Sequence, residues 1–217
     1  MNATLDARTN DRGALVEEVA RIVMSGGTVI YPHDTSYGLA CDPHHLDAVD
    51  RIYLRKGRPD HKPLTLHVAS VAELLEYAPG NALAAFVAKR LLPGPVTLVL
   101  QRPSYISEEL TAGHPTLGLR APDEPLARAI LDRCGPLVVS SANPSGAPPY
   151  RGRGGAERLP EADLIIENGP TRYDGEAAIV DCTRERPVVL REGVLSFEQI
   201  EARIGSVDRH IVKARQQ

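Results

Sequence analysis

Apolar positions along the chain recur first at helical and then at strand spacing, which predicts interleaved helices and strands. Leucine, valine and isoleucine recur at helical spacing over residues 15–23, and two glycines end this helix before the strand-forming residues 28–31 (TVIY). Further helices are predicted over 46–53, 70–77, 83–91, 126–133 and 197–204, and further strands over 64–68, 96–101, 116–120, 137–140, 178–183 and 188–191. Because the two types interleave without strict alternation, the pattern favours an α/β domain with a mixed, twisted sheet.

Composition adds limits to this picture. A chain of 217 residues with 42% hydrophobic content fits one domain, which we place at 13–207 between polar tails at 1–12 and 208–217. The formal charge of -3 provides no global basic field for nucleic acid, and no apolar run approaches the roughly 20 residues that span a bilayer. Three cysteines without a CxxC pair favour neither a disulfide framework nor structural zinc, so a cytoplasmic protein is expected.

The first candidate site is a cationic turn at residues 55–59 (RKGRP), followed by Lys62. Arginine grips phosphate oxygens bidentately and lysine adds a compact charge, so the turn suits a polyphosphate. A solvated basic turn has the same composition, and composition alone leaves both readings open. Either way, Lys56 and Arg58 are expected on a polar turn, where substitution leaves the fold nearly intact.

Polar segments after two predicted strands are the other candidates. Residues 140–146 (SSANPSG) carry hydroxyl and amide groups suited to phosphate or carboxylate, although an ordinary Asn-Pro turn also fits. Residues 32–38 and His67 could line a substrate pocket, although a lone strand histidine is more often packed or exposed. The loop at 143–155 is expected to be mobile. The histidines His44, His45 and His61 have no predictable zinc spacing, and the chain contains neither GxxxxGK[ST] nor GxGxxG.

An ordered set of short motifs resembles the YrdC/YciO family over residues 26–193. The motifs are residues 31–39 (YPHDTSYGL), 56–59 (KGRP), 62–64 (KPL), 93–98 (PGPVTL), 119–123 (LRAPD), 141–143 (SAN) and 190–191 (LR). The resemblance implies a single YrdC-like domain whose twisted sheet and helices surround a deep basic cavity. It also implies synthesis of threonylcarbamoyl-AMP from L-threonine, bicarbonate and ATP with Mg²⁺, for tRNA modification.

The resemblance also implies roles for individual residues. The catalytic signature Lys-x-Arg and Ser-x-Asn falls on Lys56, Arg58, Ser141 and Asn143. ATP contacts would come from Arg58, Lys62, Thr116, Asn143, Arg151 and Arg191. The amino acid would be held by Thr35, His67, Arg120 and Ser141. No protein ligand for a metal is implied, and Mg²⁺ would be held largely by phosphates and waters.

Three positions depart from the family pattern and leave the substrate open. His33 stands where threonine is usual, Ala177 and Ala178 replace a Ser-Thr pair, and Arg151 replaces a small hydroxyl residue beside ATP. One alternative is therefore a paralogue that adenylates a different carbamate. A second alternative is a non-catalytic RNA-binding module, against which the scarcity of aromatic residues argues. As partners, a tRNA and a downstream threonylcarbamoyl transferase are expected.

Overall fold

One mixed sheet dominates the computed structural model, which describes residues 3–209. Its strands are β1 (Ala3–Asp6), β2 (Val29–Pro32), β3 (Tyr37–Cys41), β4 (Thr65–His67), β5 (Val96–Gln101), β6 (Thr116–Arg120), β7 (Leu137–Ser141), β8 (Leu164–Glu167), β9 (Ala178–Asp181), β10 (Val188–Arg191) and β11 (Asp208–Arg209). The helices are α1 (Arg12–Met24), α2 (Leu46–Lys56), α3 (Val71–Glu76), α4 (Ala82–Leu91), α5 (Pro125–Cys134) and α6 (Phe197–Ile204).

The strand order is β1-β8-β2-β3-β7-β4-β6-β5-β9-β10-β11, with parallel and antiparallel neighbours side by side. For example, β4 pairs parallel with β6 and antiparallel with β7. Strands that are consecutive in the chain, such as β3 and β4, are separated in the sheet by later ones. The predicted mixed α/β sheet is thereby confirmed.

Two apolar clusters cover the sheet. One joins α1 and α5 to β2 and β8, and Val19 and Ile130 in it are fully buried. The other packs α2, α3, α4 and α6 against the central and later strands, around Ile52, Leu74 and Val87. Polar side chains cap the helices: the Asp11 carboxylate accepts a hydrogen bond from the N–H of Ala14 at 2.9 Å. Such a cap satisfies a donor that the helix itself leaves free.

The ends of the chain differ from the predicted polar tails. Residues Ala3–Asp6 pair in parallel register with β8, so their backbone completes the edge of the sheet. Residues 208 and 209 pair with β10. The expected tails are therefore wrong over residues 3–6 and over residues 208 and 209. Residues 1–2 and 210–217 lie outside the described residues.

Strands β3 and β8 were not predicted. Strand β3 is buried along its whole length, so it lacks the polar alternation that marks a half-buried strand. Its sequence, YGLAC, also contains two residues of low strand preference.

Among the helices of residues 3–209, none is long and apolar enough to cross a membrane.

Candidate active site

A cavity of about 360 Å³ lies against the sheet and gathers most of the residues singled out from the sequence. Strand side chains alternate between the two faces, so every second residue of a strand lines it. On β6 these are Thr116, Gly118 and Arg120, and on β4 they are Thr65 and His67. The predicted site residues that line the cavity are Thr35, Arg58, Lys62, His67, Thr116, Arg120, Ser141 and Arg191.

Strand β6 gives the cavity its long axis. The four steps between the five residues from Thr116 to Arg120 span about 13 Å at roughly 3.3 Å per step. Gly118, midway between them, contributes no side chain to this floor. A Cβ there would lie 3.4 Å or more from neighbouring side chains, so it would extend into the cavity without clashing with the protein. The floor is therefore long and open enough to hold a ligand along the strand.

Cations collect at the Thr116 end of this axis. Helix α2 ends at Gly57, whose left-handed backbone (φ 55°) turns the chain toward Arg58. The guanidinium of Arg58 donates to the carbonyls of Lys62 at 3.1 Å and Pro63 at 2.7 Å. Burial lowers the pKa of Arg58 below its usual range, yet the guanidinium stays protonated at neutral pH. Its charge has carbonyl partners here, so its remaining donors can serve an anion.

Arg191 adds a further cation at the mouth of the cavity. The strand register through Ile179 and Thr97 places it level with Arg120, at the other end of the floor from Arg58. Its guanidinium lies 3.1 Å from the carboxylate of Glu176 and donates to the carbonyl of Ala177 at 2.8 Å. Glu176 is the only carboxylate among the cavity-lining residues of the described chain. An incoming phosphate would therefore compete with Glu176 for Arg191.

Lys56 lies beneath the cavity and does not line it. The side chain is only 3% exposed, and its ammonium donates to the carbonyls of Ser141 and Asn143, the latter at 2.5 Å. Burial, and then the charge of Arg58, lower the pKa of Lys56 from 10.5 to about 8. The expectation that Lys56 lies on a solvated turn is wrong, because α2 ends against β7 and buries its last side chain. In this structure Lys56 holds the Ser141–Asn143 backbone in place.

Asn143 likewise organises the chain after β7. Its amide donates to the carbonyls of Pro144 at 2.9 Å and Ala147 at 2.7 Å, while its Oδ1 is buried without a partner. Ser141, in contrast, lines the cavity directly. The Ser-x-Asn pair therefore places one residue at the cavity and one beneath it.

The Arg120 end of the floor is polar and has no net charge. Arg120 is 5% exposed and forms an ion pair with the fully buried carboxylate of Asp34. It also donates to the hydroxyl of Thr35 at 3.1 Å. Asp34 was not identified from the sequence as a site residue, although it lies inside the quoted motif at 31–39.

Two uncharged histidines flank that end. His33 and His67 pack edge to face with ring centroids 4.8 Å apart. Burial, reinforced by the charge of Arg120, lowers the pKa of His33 to about 3. Burial, together with His33 and Arg120, also lowers the pKa of His67 well below 6.5. His33 needs the glycine at position 38, where a Cβ would lie 2.4 Å from its ring.

Arg151 and its loop lie differently from expectation. The guanidinium of Arg151 is 3.4 Å from the carboxylate of Asp174, and Arg151 does not line the cavity. The carbonyl of Tyr150 accepts from the N–H of Tyr37 at 2.9 Å, which anchors the loop to β3. Pro149, just before that anchor, does line the cavity. The anchor therefore separates residues 144–149, which border the cavity at Pro149, from the rest of the 143–155 loop.

A mixed α/β sheet that carries a cavity with cations at one end and a neutral polar floor at the other defines a class of small-molecule binding domain. Residues 21–193 match the Sua5/YciO/YrdC family model, which carries the description "Telomere recombination". The chain belongs to this family.

Individual relatives support the match. A threonylcarbamoyl-AMP synthase of Bacillus subtilis is 36% identical over 212 residues, covering 95% of this chain and 61% of that protein. The structure of Pyrococcus abyssi Sua5 complexed with L-threonine has a TM-score of 0.84 at 33% identity, covering 97% of this chain and 62% of that one. The structure of Escherichia coli YciO has a TM-score of 0.79 at 27% identity, covering 92% and 98%. This chain thus spans about three fifths of the first two relatives and nearly all of the third.

Proposed function

We propose that this chain is a nucleotidyltransferase that forms L-threonylcarbamoyl-AMP from L-threonine, bicarbonate and ATP and releases pyrophosphate. The observation that carries the proposal is the distribution of charge in the cavity, with Arg58 and Lys62 near the Thr116 end and the neutral Thr35–Arg120 cluster at the other. Arg191 and its partner Glu176 line the wall of the cavity beside them. A polyphosphate fits the first end and a zwitterionic amino acid fits the second. The Bacillus subtilis relative carries the name of this activity, and the Pyrococcus abyssi relative was crystallised with L-threonine.

The reaction follows from this placement. The amine of threonine and bicarbonate form a carbamate with loss of water, and a carbamate oxygen attacks the α-phosphorus of ATP. The bond between the α-phosphorus and its bridging oxygen then breaks, and pyrophosphate leaves. Negative charge grows on the leaving group, where Arg58, Lys62 and Arg191 would stabilise it. No nucleophile from the protein is required.

Mg²⁺ fits the same site with little help from protein ligands. Glu176 is the one carboxylate among the described residues that line the cavity, and no cluster of three metal-binding side chains exists within residues 3–209. Mg²⁺ commonly keeps its waters and binds through substrate phosphates. It would neutralise part of the triphosphate charge, while Arg58 and Lys62 orient the chain of phosphates.

Pyrophosphate release tests the proposal directly. The purified chain should release pyrophosphate only when ATP, bicarbonate and L-threonine are all present. Arg58→Ala should lower kcat about 100-fold or more, as removal of one preorganised charge donor does elsewhere. The matched control is Arg203→Ala, because Arg203 is exposed on α6 away from the cavity. Release that is independent of the amino acid, or full turnover in Arg58→Ala, would contradict the proposed site.

A different carbamate is the second candidate, and the environment of Ala177 favours testing it. Ala177 lines the cavity with a methyl group where the family usually has a serine hydroxyl. A site that lacks a hydroxyl partner discriminates weakly between a substrate and its deoxy analogue. Threonine should therefore exceed serine and valine only modestly in kcat/KM, and Ala177→Ser should widen the difference. A preference for threonine of several orders of magnitude that Ala177→Ser leaves unchanged would exclude relaxed specificity.

The partners follow from the product. A mixed anhydride between a carbamate and AMP is an activated acyl donor, so a transferase must receive it, and we propose a tRNA adenosine as the final acceptor in the cytoplasm. RNA binding without catalysis is less consistent with the structure, because the cations converge inside a cavity. A phosphodiester backbone is recognised by an exposed basic surface. RNA binding without any pyrophosphate release would favour that alternative.

A further inference from the structure

Asp34 is a buried carboxylate at the Arg120 end of the cavity. Its side chain is fully buried, and its Oδ1 accepts from Nη2 of Arg120, which is itself only 5% exposed. The carbonyl of Asp34 accepts from the N–H of Tyr173 at 2.8 Å, so the backbone is fixed as well. Asp34 does not line the cavity, whereas Arg120 and the neighbouring Thr35 do.

The contacts of Arg120 show what this carboxylate controls. Nη1 of Arg120 donates to the hydroxyl of Thr35 at 3.1 Å, and Nε donates to the carbonyl of Gly94 at 3.2 Å. Together with Asp34 these contacts fix the plane of the guanidinium from three sides. A guanidinium has five N–H donors, so two remain for a ligand. The orientation of those two donors depends on Asp34.

Stability alone gives a poor account of the pair. Taking two charges out of water is costly, and a buried ion pair can often be replaced by apolar residues without loss of stability. The Oδ2 atom of Asp34 is moreover buried with no hydrogen-bond partner, which a pair optimised for stability would avoid. The pair instead cancels the charge of Arg120 and holds it at a fixed place beside Thr35.

We infer that Asp34 is a positioning residue, which through its buried contact with Arg120 orients the guanidinium and the Thr35 hydroxyl that receive the amino acid. The inference rests on the proposed function, since it concerns the amino-acid end of that same site. Asp34 acts at the opposite end of the floor from Arg58 and Lys62, so it should govern affinity for the amino acid and change affinity for ATP little.

A double-mutant cycle tests this dependence on Arg120. The variants are Asp34→Asn, Arg120→Gln and the two combined, with L-threonine and MgATP as separate probes in titration calorimetry. Asp34→Asn should weaken threonine binding about tenfold or more while ATP binding changes less than about twofold, and Asp34→Glu should restore part of the loss. In the Arg120→Gln background, Asp34→Asn should weaken threonine binding no further, because a residue that acts through another shows no independent effect.

The cycle also remains decisive if one variant folds poorly. Asp34→Asn leaves the buried Arg120 charge uncompensated, whereas the combined variant removes both charges and should melt closer to the wild type. The carboxylate control is Glu17→Gln, which breaks the exposed ion pair of Glu17 with Arg133 and should change neither affinity. Equal losses for threonine and ATP, or an additive loss in the combined variant, would overturn the inference alone. A wild type that binds ATP but no amino acid would overturn the proposed function together with it.

Discussion

Replacement of Lys56 by methionine should destabilise the protein although the residue sits next to a glycine turn at the end of a helix. Methionine keeps the apolar stem and removes the ammonium, which lies beneath the cavity. The carbonyls of Ser141 and Asn143 then lose the donor that the structure gives them. The change therefore tests whether Lys56 supports the Ser-x-Asn segment from below.

The magnitude follows from those two contacts. A buried acceptor that loses its partner costs about 1–3 kcal/mol, so two carbonyls give a loss of about 2–6 kcal/mol in the free energy of unfolding, less whatever water recovers. The loss should also depend on pH, because the pKa of Lys56 is about 8 in the folded chain against 10.5 for a free lysine. The cost of burying the charge is fully present below pH 8 and is relieved as the pH rises toward 10.5. The neutral amine that forms still donates N–H groups to both carbonyls, so its hydrogen bonds are kept while the charge penalty disappears. Between pH 8 and 10.5 the wild type therefore gains stability relative to the variant, at about 1.4 kcal/mol per pH unit.

Urea unfolding of wild type and Lys56→Met at pH 7, 8.5 and 10 measures both effects. At pH 7 the cost of burying the charge offsets part of the difference between the two proteins, so the difference should be smallest at pH 7 and largest at pH 10. Lys89→Met is the matched control, because Lys89 is exposed in the last turn of α4. A difference below about 0.5 kcal/mol at pH 10, as for an ordinary surface site, would refute the supporting role of Lys56. A difference that shrinks at high pH would refute the lowered pKa.

The remaining predictions concern the cavity floor, the buried histidines and the loop. The Gly118→Val variant should fold normally and lower kcat/KM about tenfold or more, because the methyl groups of the valine would occupy the cavity floor. An unchanged kcat/KM in a kinetic assay would place the ligand elsewhere. Stability should fall as the pH drops from 6.5 toward 3, because the unfolded chain binds protons that buried His33 does not, and acid melts of His33→Thr should show a smaller fall. Hydrogen exchange at Ser145, Gly146 and Ala147 should slow when MgATP is added, while the anchored Tyr150 changes little. Equal exchange with and without nucleotide would argue against a lid.

The sequence predicts most helices and strands because their apolar residues recur at regular spacing. The prediction of strands fails where a strand is buried on both faces, because such a strand has no alternation of polar and apolar residues. Strand β3 is buried on both faces and so carries no alternation, and β1 is an edge strand recruited by pairing with β8. Among site residues, the family motifs located those that line the cavity, but sequence cannot tell a cation that faces a ligand from one that faces a carbonyl. Lys56 and Arg58 are two residues apart, yet the first is 3% exposed and lies under the cavity while the second lines it.

The same limit applies to pairs brought together by the fold. Asp34 and Arg120 are separated by 86 positions, and nothing in either local pattern predicts their contact. Their pairing depends on the register of the central strands, in which β3 joins β7 and β7 joins β4 beside β6. Such long-range register is set by the whole sheet, and a single sequence does not specify it.

The pair between Arg191 and Glu176 has a consequence for how ionic strength acts on nucleotide affinity. Added salt screens the attraction between a phosphate and either Arg58 or Arg191, but at Arg191 it also screens the competing carboxylate. These two effects oppose each other, whereas at Arg58 the partners are uncharged carbonyls and only the first effect operates. The strength of the phosphate contact with Arg191 should therefore vary less with salt than that of the contact with Arg58. As the salt concentration rises, Arg191 should provide a growing share of the binding free energy.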